Sequence, residues 1–385
     1  MAYLDHAAST PMRPEAVEAM RPFFADSFAN PSGSHAASRV AKTALEEARE
    51  VVAAACGAEP HEIVFTAGGS EADNLAVKGA AWAARDRDGR DGIVTTAIEH
   101  KAVLGACGRL EREGFRVVRV AAQVSGVLDL DALGAALDER TAVVSVMLVN
   151  NETGTVQPLA EVAALVRERA PGAVLHTDAV QAPQWLDLSV HASAADLVAI
   201  SGHKFGGPKG AGALVVRGDT VLVPLVEGGG HERDRRAGTQ NVAGAVGFAT
   251  ALRVTDERRA DEVARIRQLR DRLEAGLARS VPRFVANGDH DRRVAGVIHA
   301  AFPGVEAEAL LVALDQRDVY AASGSACSSG SIDPSHVLLG MGMDRDRALS
   351  SVRFSLGYAS TDADVDLALS VVPEAVEMLR TASTS

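Results

Sequence analysis

The stretch Ser201-Gly202-His203-Lys204-Phe205-Gly206-Gly207-Pro208 directly continues an apolar run, Leu197–Ser201, that is typical of a buried strand. A lysine in a glycine-rich turn after such a strand is poorly explained as a solvated charge. Partial burial lowers the pKa of a lysine toward the neutral amine, which is the form that attacks a carbonyl group. Taken alone, Lys204 is equally compatible with a plain loop lysine and with a Schiff-base lysine.

On both sides of this stretch, short β-branched runs alternate with longer helical patterns between about residues 60 and 216. Seven runs are predicted to be buried strands, at residues 62–66, 93–97, 116–120, 142–149, 173–177, 197–201 and 213–216. The helical patterns between them include residues 71–85, 101–113 and 159–169. This alternation predicts an α/β fold with a mostly parallel sheet covered on both faces. Ligands of such sheets bind beyond the carboxyl ends of the strands, so we expect the chemistry there.

The length of the chain, 385 residues, favours two domains over one compact core. We predict a large domain over residues 12–252. A charged, helix-rich segment at about 250–280 would lead into a smaller α+β domain made of residues 1–11 and 253–385. This domain would hold strands at 294–301 and 352–356 and helices at 306–317 and from 362 to about 379.

Composition and charge exclude several classes of protein. The net charge of −12 argues against nucleic acid or an anionic membrane as the main partner. The sequence contains no uninterrupted apolar run of about 18 residues, so no membrane-spanning helix is predicted. The first residues do not resemble a signal peptide. The three cysteines, Cys56, Cys107 and Cys327, are far apart, so neither a disulfide framework nor a metal site is predicted. We therefore expect a protein of the reducing cytoplasm.

Two further candidate groups lie at the ends of predicted strands. Asp178 follows the strand at 173–177, and its carboxylate could pair with the nitrogen of a pyridinium ring. Gln181, three residues later, could donate to an oxygen on that ring. Alone, Asp178 is better explained as the N-cap of a helix. His100, after the strand at 93–97, could stack on the ring and move protons near neutral pH. A lone histidine is more often structural, but the position of His100 at the same sheet edge favours the catalytic role.

The turn Thr66-Ala67-Gly68-Gly69-Ser70-Glu71 lies between a predicted strand and a predicted helix. Backbone N–H groups at a helix N-terminus and the Ser70 hydroxyl could bind a phosphate there. The turn is neither a P-loop nor a G-x-G-x-x-G motif, and alone it is weak evidence. Together with Asp178 and Lys204, in order and at successive strand ends, it indicates a cofactor that carries a phosphate and binds to a lysine.

Further motifs extend nearly from end to end of the chain: Tyr-Leu-Asp-His-Ala-Ala-Ser-Thr-Pro at 3–11, Asn-Pro-Ser-Gly-Ser-His at 30–35, Glu-His-Lys at 99–101, Asn-Asn-Glu-Thr-Gly at 150–154 and Gly-Gly-Gly-His-Glu-Arg at 228–233. The most specific is Ser-Gly-Ser-Ala-Cys-Ser-Ser-Gly-Ser at 323–331, followed by Pro-Ser-His-Val-Leu at 334–338. With these motifs the chain resembles the class V aminotransferase group of fold-type I pyridoxal-phosphate enzymes. Within that group it resembles the cysteine desulfurases of the NifS/IscS type.

The resemblance implies a fold-type I transferase with a seven-stranded sheet and a smaller α+β domain. It implies that pyridoxal 5′-phosphate is the cofactor, that the protein is a homodimer, and that L-cysteine is converted to L-alanine. The sulfur would pass to an enzyme cysteine and then to acceptor proteins, such as iron–sulfur scaffold or thiolation relay proteins. The protein would bind neither nucleic acid nor a membrane directly.

The resemblance also assigns roles to single residues. Lys204 would form the Schiff base with the cofactor, and His100 would stack on the ring as a second catalytic group. The other cofactor contacts would come from Gly69, Ser70, Asn151, Asp178, Gln181, Ser201, His203 and, in the neighbouring subunit, Thr239. Asn151 and Arg353 would hold the substrate carboxylate, which suits the planar fork of arginine. Taken alone, Arg353 could instead form a surface salt bridge of little energetic value.

The chain departs from the common pattern of this group at two places. Gly69-Ser70 stands where Ala-Thr is common; Ser70 keeps the hydroxyl, so we expect phosphate binding to survive. His231 replaces a common glutamine, and the sequence does not indicate the consequence.

Cys327 distinguishes sulfur abstraction from the other reactions of this cofactor. It lies in a run of Ser, Gly and Ala that cannot pack a core, so we expect a mobile loop at about 322–333 in the small domain. This thiol could take sulfur at the cofactor and deliver it outside. Cys56 and Cys107 lie in Ala-, Val- and Leu-rich helical patterns and are assigned to packing.

Three alternatives remain open at this point. A selenocysteine lyase would differ in one atom of its substrate, and turnover of the two substrates would distinguish them. Another class V enzyme, such as a general aminotransferase, would need no loop thiol. A non-catalytic partner protein with this fold would not need Lys204, Asp178 and Cys327, all of which are present.

Overall fold

The computed structural model of this chain describes residues 1–324 and 333–382. Within these ranges the strands are β1 (Ala2–Tyr3), β2 (Ile63–Thr66), β3 (Gly92–Thr96), β4 (Arg116–Val120), β5 (Thr141–Ser145), β6 (Val174–Asp178), β7 (Leu197–Ser201), β8 (Gly212–Val216), β9 (Val285–Ala286), β10 (Val297–Ala301), β11 (Val319–Tyr320) and β12 (Ser351–Ser355). The α-helices are α1 (Pro14–Met20), α2 (Pro22–Ala25), α3 (Ala36–Cys56), α4 (Gly69–Asp88), α5 (Lys101–Arg112), α6 (Leu130–Ala136), α7 (Leu159–Arg169), α8 (Leu188–His191), α9 (Val242–Ser280), α10 (Ala307–Asp315), α11 (His336–Gly340), α12 (Arg345–Leu349) and α13 (Asp362–Ala382).

Seven strands form the central sheet in the order β2-β8-β7-β6-β5-β3-β4. All neighbours are parallel except at β8, which runs antiparallel to both β2 and β7. Both faces are buried: in β7, Val198 and Ile200 pack into one apolar cluster, whereas Leu197 and Ala199 pack into another. The predicted α/β class and the mostly parallel seven-stranded sheet are confirmed. Strands that are apolar at nearly every position must be buried on both faces of the sheet.

Gly212 in β8 allows the end of β2 and the end of β7 to pack closely on either side of it. It is paired with Thr66 of β2 on one side and with Ser201 of β7 on the other. A Cβ atom at this position would lie 2.7 Å from the Cα atom of Gly68 and 2.7 Å from the carbonyl oxygen of Ile200. The turn after β2 therefore packs directly against the end of β7.

Two segments differ from their sequence prediction. The strand predicted at 142–149 ends at Ser145. Beyond it, the backbone N–H of Val146 still donates to β6, but β3 has already ended and the Glu99 carboxylate accepts from Met147 N–H. The helix predicted at about 250–280 begins earlier, at Val242, because the Asn241 side chain caps it by accepting from Gly244 N–H.

The long helix α9 connects two apolar clusters. Its first half contributes Phe248 and Leu252 to the cluster under the central sheet, and its second half contributes Ile266 and Leu273 to a separate cluster. That second cluster also contains residues of β10, β12 and α13 and the N-terminal Ala2 and Leu4. The predicted domain boundary at 252/253 falls inside α9, and the division into domains stays a prediction.

The N-terminal segment returns to the central sheet edge. β1 pairs in parallel with β11, and Ala7 N–H donates to the Ser355 hydroxyl at the end of β12. This pairing places residues 7–9 at the carboxyl ends of the central strands. In the described ranges, no helix has the length and apolarity required to cross a lipid bilayer.

Candidate active site

A cavity of about 750 Å³ lies at the carboxyl ends of the central strands. Ten of the twelve predicted site residues line it: Gly69, Ser70, His100, Asn151, Asp178, Gln181, Ser201, His203, Lys204 and Arg353. The remaining two are Thr239, which is exposed and not part of the lining, and Cys327, which lies outside the described residues. Gly324, the last described residue before Cys327, does line the cavity.

Lys204 ends a short 3-10 turn that follows β7 without a gap. Its ammonium group donates to the carbonyl oxygens of Ala7 at 2.6 Å and Ala8 at 2.9 Å. The lysine is half-buried, so its amine is held at the cavity wall by the N-terminal segment. A loop lysine pointing into solvent would have neither contact.

Asp178 is the last residue of β6 and is 5% exposed. Its side chain accepts from Val180 N–H at 2.9 Å, and no helix of the described chain begins after it until α8 at Leu188. The N-cap interpretation of Asp178 is therefore wrong. Burial raises the pKa of this carboxyl, whereas the nearby His100 and Lys204 lower it.

His100 caps α5, since its Nδ1 accepts from Ala102 N–H at 3.2 Å. The proton of the neutral ring is therefore on Nε2. Burial lowers the pKa of His100, Asp178 raises it and Lys204 lowers it. His100 and the Asp178 carboxylate thus line the same cavity.

The turn after β2 opens a helix N-terminus onto the cavity. Gly68 has φ +144°, a backbone region that favours glycine, and α4 begins at the next residue. A Cβ at Gly69 would lie 2.6 Å from Cγ2 of Val180 and 3.4 Å from Cβ of Ser201. The N-terminus of a 20-residue helix, the Ser70 hydroxyl and the Ser201 hydroxyl therefore border the same part of the cavity.

His203, two residues after Ser201, also lines the cavity. Its pKa is lowered to about 4 by burial and by the cations Lys204 and Lys209. Near neutral pH it is therefore an uncharged imidazole that can donate one hydrogen bond to an anion.

Arg353 in β12 is 3% exposed, so the surface salt bridge considered from the sequence is wrong. One terminal nitrogen donates to the carbonyl oxygen of Asn151 at 2.7 Å and the other to Asp5 at 2.8 Å. The Arg353 Nε atom and the Asn151 Oδ1 atom are both buried, and within residues 1–324 and 333–382 neither has a hydrogen-bond partner. Unpaired buried polar atoms beside a cavity indicate a ligand that completes them.

Several groups at the site were not found from the sequence. The Ala7 and Ala8 carbonyl groups are backbone atoms and carry no side-chain signal. Asp73 lines the cavity because it lies four residues after Gly69, on the same face of α4; that spacing could have revealed it. Gln181, predicted to contact a ring, donates here to the Ala7 carbonyl oxygen at 2.9 Å.

The two described cysteines are structural. Cys56 and Cys107 are buried free thiols, and burial raises the pKa of each to about 12. Their predicted assignment to packing is confirmed. The departure His231 begins a 3-10 turn, and its Nε2 atom lies 3.2 Å from the Ser32 hydroxyl.

Comparison with known proteins adds a family to this geometry. A family model described as aminotransferase class-V matches residues 2–368. The chain is 47% identical to an IscS-like cysteine desulfurase of Mycobacterium tuberculosis, over 100% of this chain and 98% of the relative. It is 42% identical to the cysteine desulfurase IscS of Methanosarcina thermophila, over 99% of this chain and 93% of the relative.

Two solved structures agree closely with the fold. A NifS-like protein superimposes with a TM-score of 0.92 at 33% identity, covering 98% of this chain and 100% of the other. A structure described as SspA in complex with cysteine superimposes with a TM-score of 0.81 at 35% identity, covering 94% and 100%.

Proposed function

We infer the reaction from one premise: this chain belongs to the class V aminotransferase family. It is a cysteine desulfurase, which converts L-cysteine to L-alanine and transfers the sulfur to a thiol of the enzyme. One observation carries the assignment to this cavity. A lysine amine, an anion cradle, a buried carboxylate and a buried arginine all line the same space of about 750 Å³.

Pyridoxal 5′-phosphate fits this donor set. When bound, it withdraws electrons from the α-carbon of an amino acid. Lys204 would hold its aldehyde carbon and Asp178 would face its ring nitrogen. The phosphate would lie at the N-terminus of α4, where Gly69 leaves no Cβ and Ser70, Ser201 and His203 provide donors.

Arg353 and Asn151 bind the substrate carboxylate. Both arginine terminal nitrogens are already held, by Asn151 and Asp5, so the guanidinium is fixed before the substrate arrives. Its buried Nε–H still has no acceptor among the described residues. A carboxylate placed there would satisfy a charged donor, which contributes more than a neutral hydrogen bond.

Lys204 and His100 move protons at the substrate. The amine of Lys204 would be the base at the cavity wall. His100 is a neutral donor at Nε2, because Nδ1 is occupied by Ala102 N–H and burial lowers the pKa of the ring. A neutral imidazole can donate one proton and recover it without leaving its place.

Cys327 takes the sulfur. Its thiolate attacks the sulfur atom of the bound cysteine and forms an S–S bond, while the bond between that sulfur and the substrate β-carbon breaks. The electron pair of the broken bond remains with the carbon fragment, which gains protons and leaves as alanine. The enzyme is left with a persulfide, and a thiol of an acceptor protein removes the outer sulfur.

Cys327→Ser tests the sulfur step separately from cofactor binding. The serine variant should retain visible cofactor absorbance and should bind cysteine, because only the soft nucleophile is lost. It should form no persulfide and release almost no alanine, measured by mass spectrometry and by an alanine assay. Cys107→Ser is the matched control and should still form persulfide, since that thiol is buried away from the cavity. Sulfide release by Cys327→Ser at the wild-type rate would assign the nucleophile elsewhere.

The partners follow from the same chemistry. A homodimer would bring Thr239, which is exposed in the single chain, to the phosphate of the neighbouring subunit. The sulfur acceptors would be thiol-bearing proteins of iron–sulfur assembly or thiolation. Buried free thiols at Cys56 and Cys107 support a reducing compartment such as the cytoplasm.

A further inference from the structure

Asp73 is a buried carboxyl group that the mechanism above does not use. It lies on the first turns of α4, lines the cavity and is 1% exposed. Its Oδ1 atom is buried and has no hydrogen-bond partner among the described residues. An unsatisfied carboxyl in this place is costly unless it is neutral or meets a ligand.

Asp73 and Asp178 face the same point of the cavity. One carboxyl oxygen of each and one ring nitrogen of His100 lie within 4.8 Å of one another. Two buried carboxyl groups this close raise the free energy of each other's ionised form, which favours a pair that shares one proton. The pair therefore acts as a unit at the place assigned to the cofactor's ring nitrogen.

The surroundings place that proton on Asp73. Burial, Asp178 and Glu99 all raise the pKa of Asp73. Burial also raises the pKa of Asp178, but His100, the Val180 N–H group and Lys204 stabilise its charged form. Asp178 is therefore the carboxylate and Asp73 the neutral acid.

His176 on β6 lies next to Asp73 and orients its carboxyl group. His176 is fully buried, and its Nε2 atom lies 3.5 Å from Asp73 Oδ1. On its other side, Nδ1 lies 2.9 Å from the Ser145 hydroxyl. The Ser145 hydroxyl can donate to Nδ1, which puts the ring proton on Nε2, facing Asp73. Burial lowers the pKa of His176 to about 3, which leaves the ring neutral.

We propose that Asp73 is a positioning residue: oriented by His176 and present as the neutral acid, it holds the Asp178 carboxylate against the ring nitrogen of the cofactor. The inference rests on the function proposed above. In this arrangement Oδ1 of Asp73 would accept from His176 Nε2, which lies 3.5 Å away, and the acid proton of Asp73 would face Asp178. Without that donor, Val180 N–H would be the one hydrogen-bond donor to Asp178 among the described residues, and the position of the carboxylate would be less fixed.

Asp73→Asn and Asp73→Leu test this arrangement. Asparagine reproduces the neutral acid, because its oxygen can accept from His176 and its NH₂ group can donate to Asp178. Leucine has a similar volume and can do neither. Each variant is stripped of cofactor and reloaded with pyridoxal 5′-phosphate labelled with ¹⁵N in the ring. Solid-state ¹⁵N NMR then reports whether the ring nitrogen is protonated, and absorbance titration gives the cofactor dissociation constant.

The expected result is a split between the two variants. Asp73→Asn should keep the wild-type ring-nitrogen shift, whereas Asp73→Leu should move it toward that of an unprotonated pyridine. Cofactor binding by Asp73→Leu should be about tenfold weaker or more, the cost of one unsatisfied charged hydrogen bond. Asp86→Leu, an exposed position on the same helix, is the control and should change neither quantity.

Two results would overturn the proposal. If Asp73→Leu keeps the wild-type shift and affinity, Asp73 does not position Asp178. If Asp73→Asn behaves like Asp73→Leu, a charge rather than a neutral acid is required. Should the leucine variant fail to fold, Asp73→Ala replaces it with the same expected result. Failure of the wild-type protein to bind the cofactor would instead refute the proposed function.

Discussion

Lys204 is the residue on which the cofactor assignment depends most directly. Lys204→Ala should lose the visible absorbance of the lysine-bound cofactor and all alanine production, because the amine that would hold the aldehyde carbon is removed. Absorbance spectra and an alanine assay on the purified variant measure both. Lys78→Ala, on α4 and not part of the cavity lining, should keep both. Full activity in Lys204→Ala would remove the cofactor from the mechanism.

Arg353 should affect substrate binding rather than sulfur transfer. Arg353→Ala should raise the KM for cysteine by about 10- to 100-fold, since a hydrogen bond to a charged group contributes about 1.5–3 kcal/mol. Arg353→Lys keeps the charge but cannot contact Asn151 and Asp5 with the same fork, so it should recover only part of the loss.

Alkylation of Cys327 by iodoacetamide is the internal control for these variants, because it reports the thiol without needing the substrate carboxylate. The rate of alkylation should match that of the wild type in both Arg353→Ala and Arg353→Lys. An unchanged KM in Arg353→Ala would move the carboxylate site to another cation.

The packing of β8 between β2 and β7 depends on one glycine. Gly212→Ala should destabilise the fold by about 1–3 kcal/mol, because the added methyl group meets backbone atoms of Gly68 and Ile200 that cannot rotate away. It should also weaken cofactor binding, since the displaced turn carries the anion cradle. Urea unfolding and cofactor titration measure the two effects.

Gly105→Ala is a matched control for that substitution. Gly105 lies on the exposed face of α5, and a Cβ there has no neighbour within 4 Å. Alanine should be neutral or stabilise the helix by up to about 1 kcal/mol. Equal stability of Gly212→Ala and the wild type would show that the strands adjust without cost.

The complete enzyme should need two copies of the chain. We expect sedimentation to give a dimer, and Thr239→Val to weaken cofactor binding at an unchanged sedimentation coefficient, because the hydroxyl would serve the partner's phosphate. Ser280→Ala, at an exposed position at the end of α9, is the control and should change neither property. A monomer that retains all of its cofactor would contradict this expectation.

Much of the fold and of the site is local in the sequence. The apolar strand runs, the glycine-rich turns after them and the polar residues at their ends are each written within a few positions. Parallel strands bring such ends to one edge, so Lys204, Asp178, His100 and the turn at Gly69 could be placed together from the sequence alone. The alternation of strand and helix predicted the sheet for the same reason.

Tertiary structure alone decided the contacts between distant parts of the chain. The carbonyl of Ala7 lies 197 positions from Lys204, and Asp5 lies 348 positions from Arg353. Residues this far apart in the sequence form no short-range pattern from which their contact could be predicted. Asp73 meets His176 only because α4 packs across β6. Local sequence determined which chemical groups stand at the strand ends, and packing determined their partners, burial and charge.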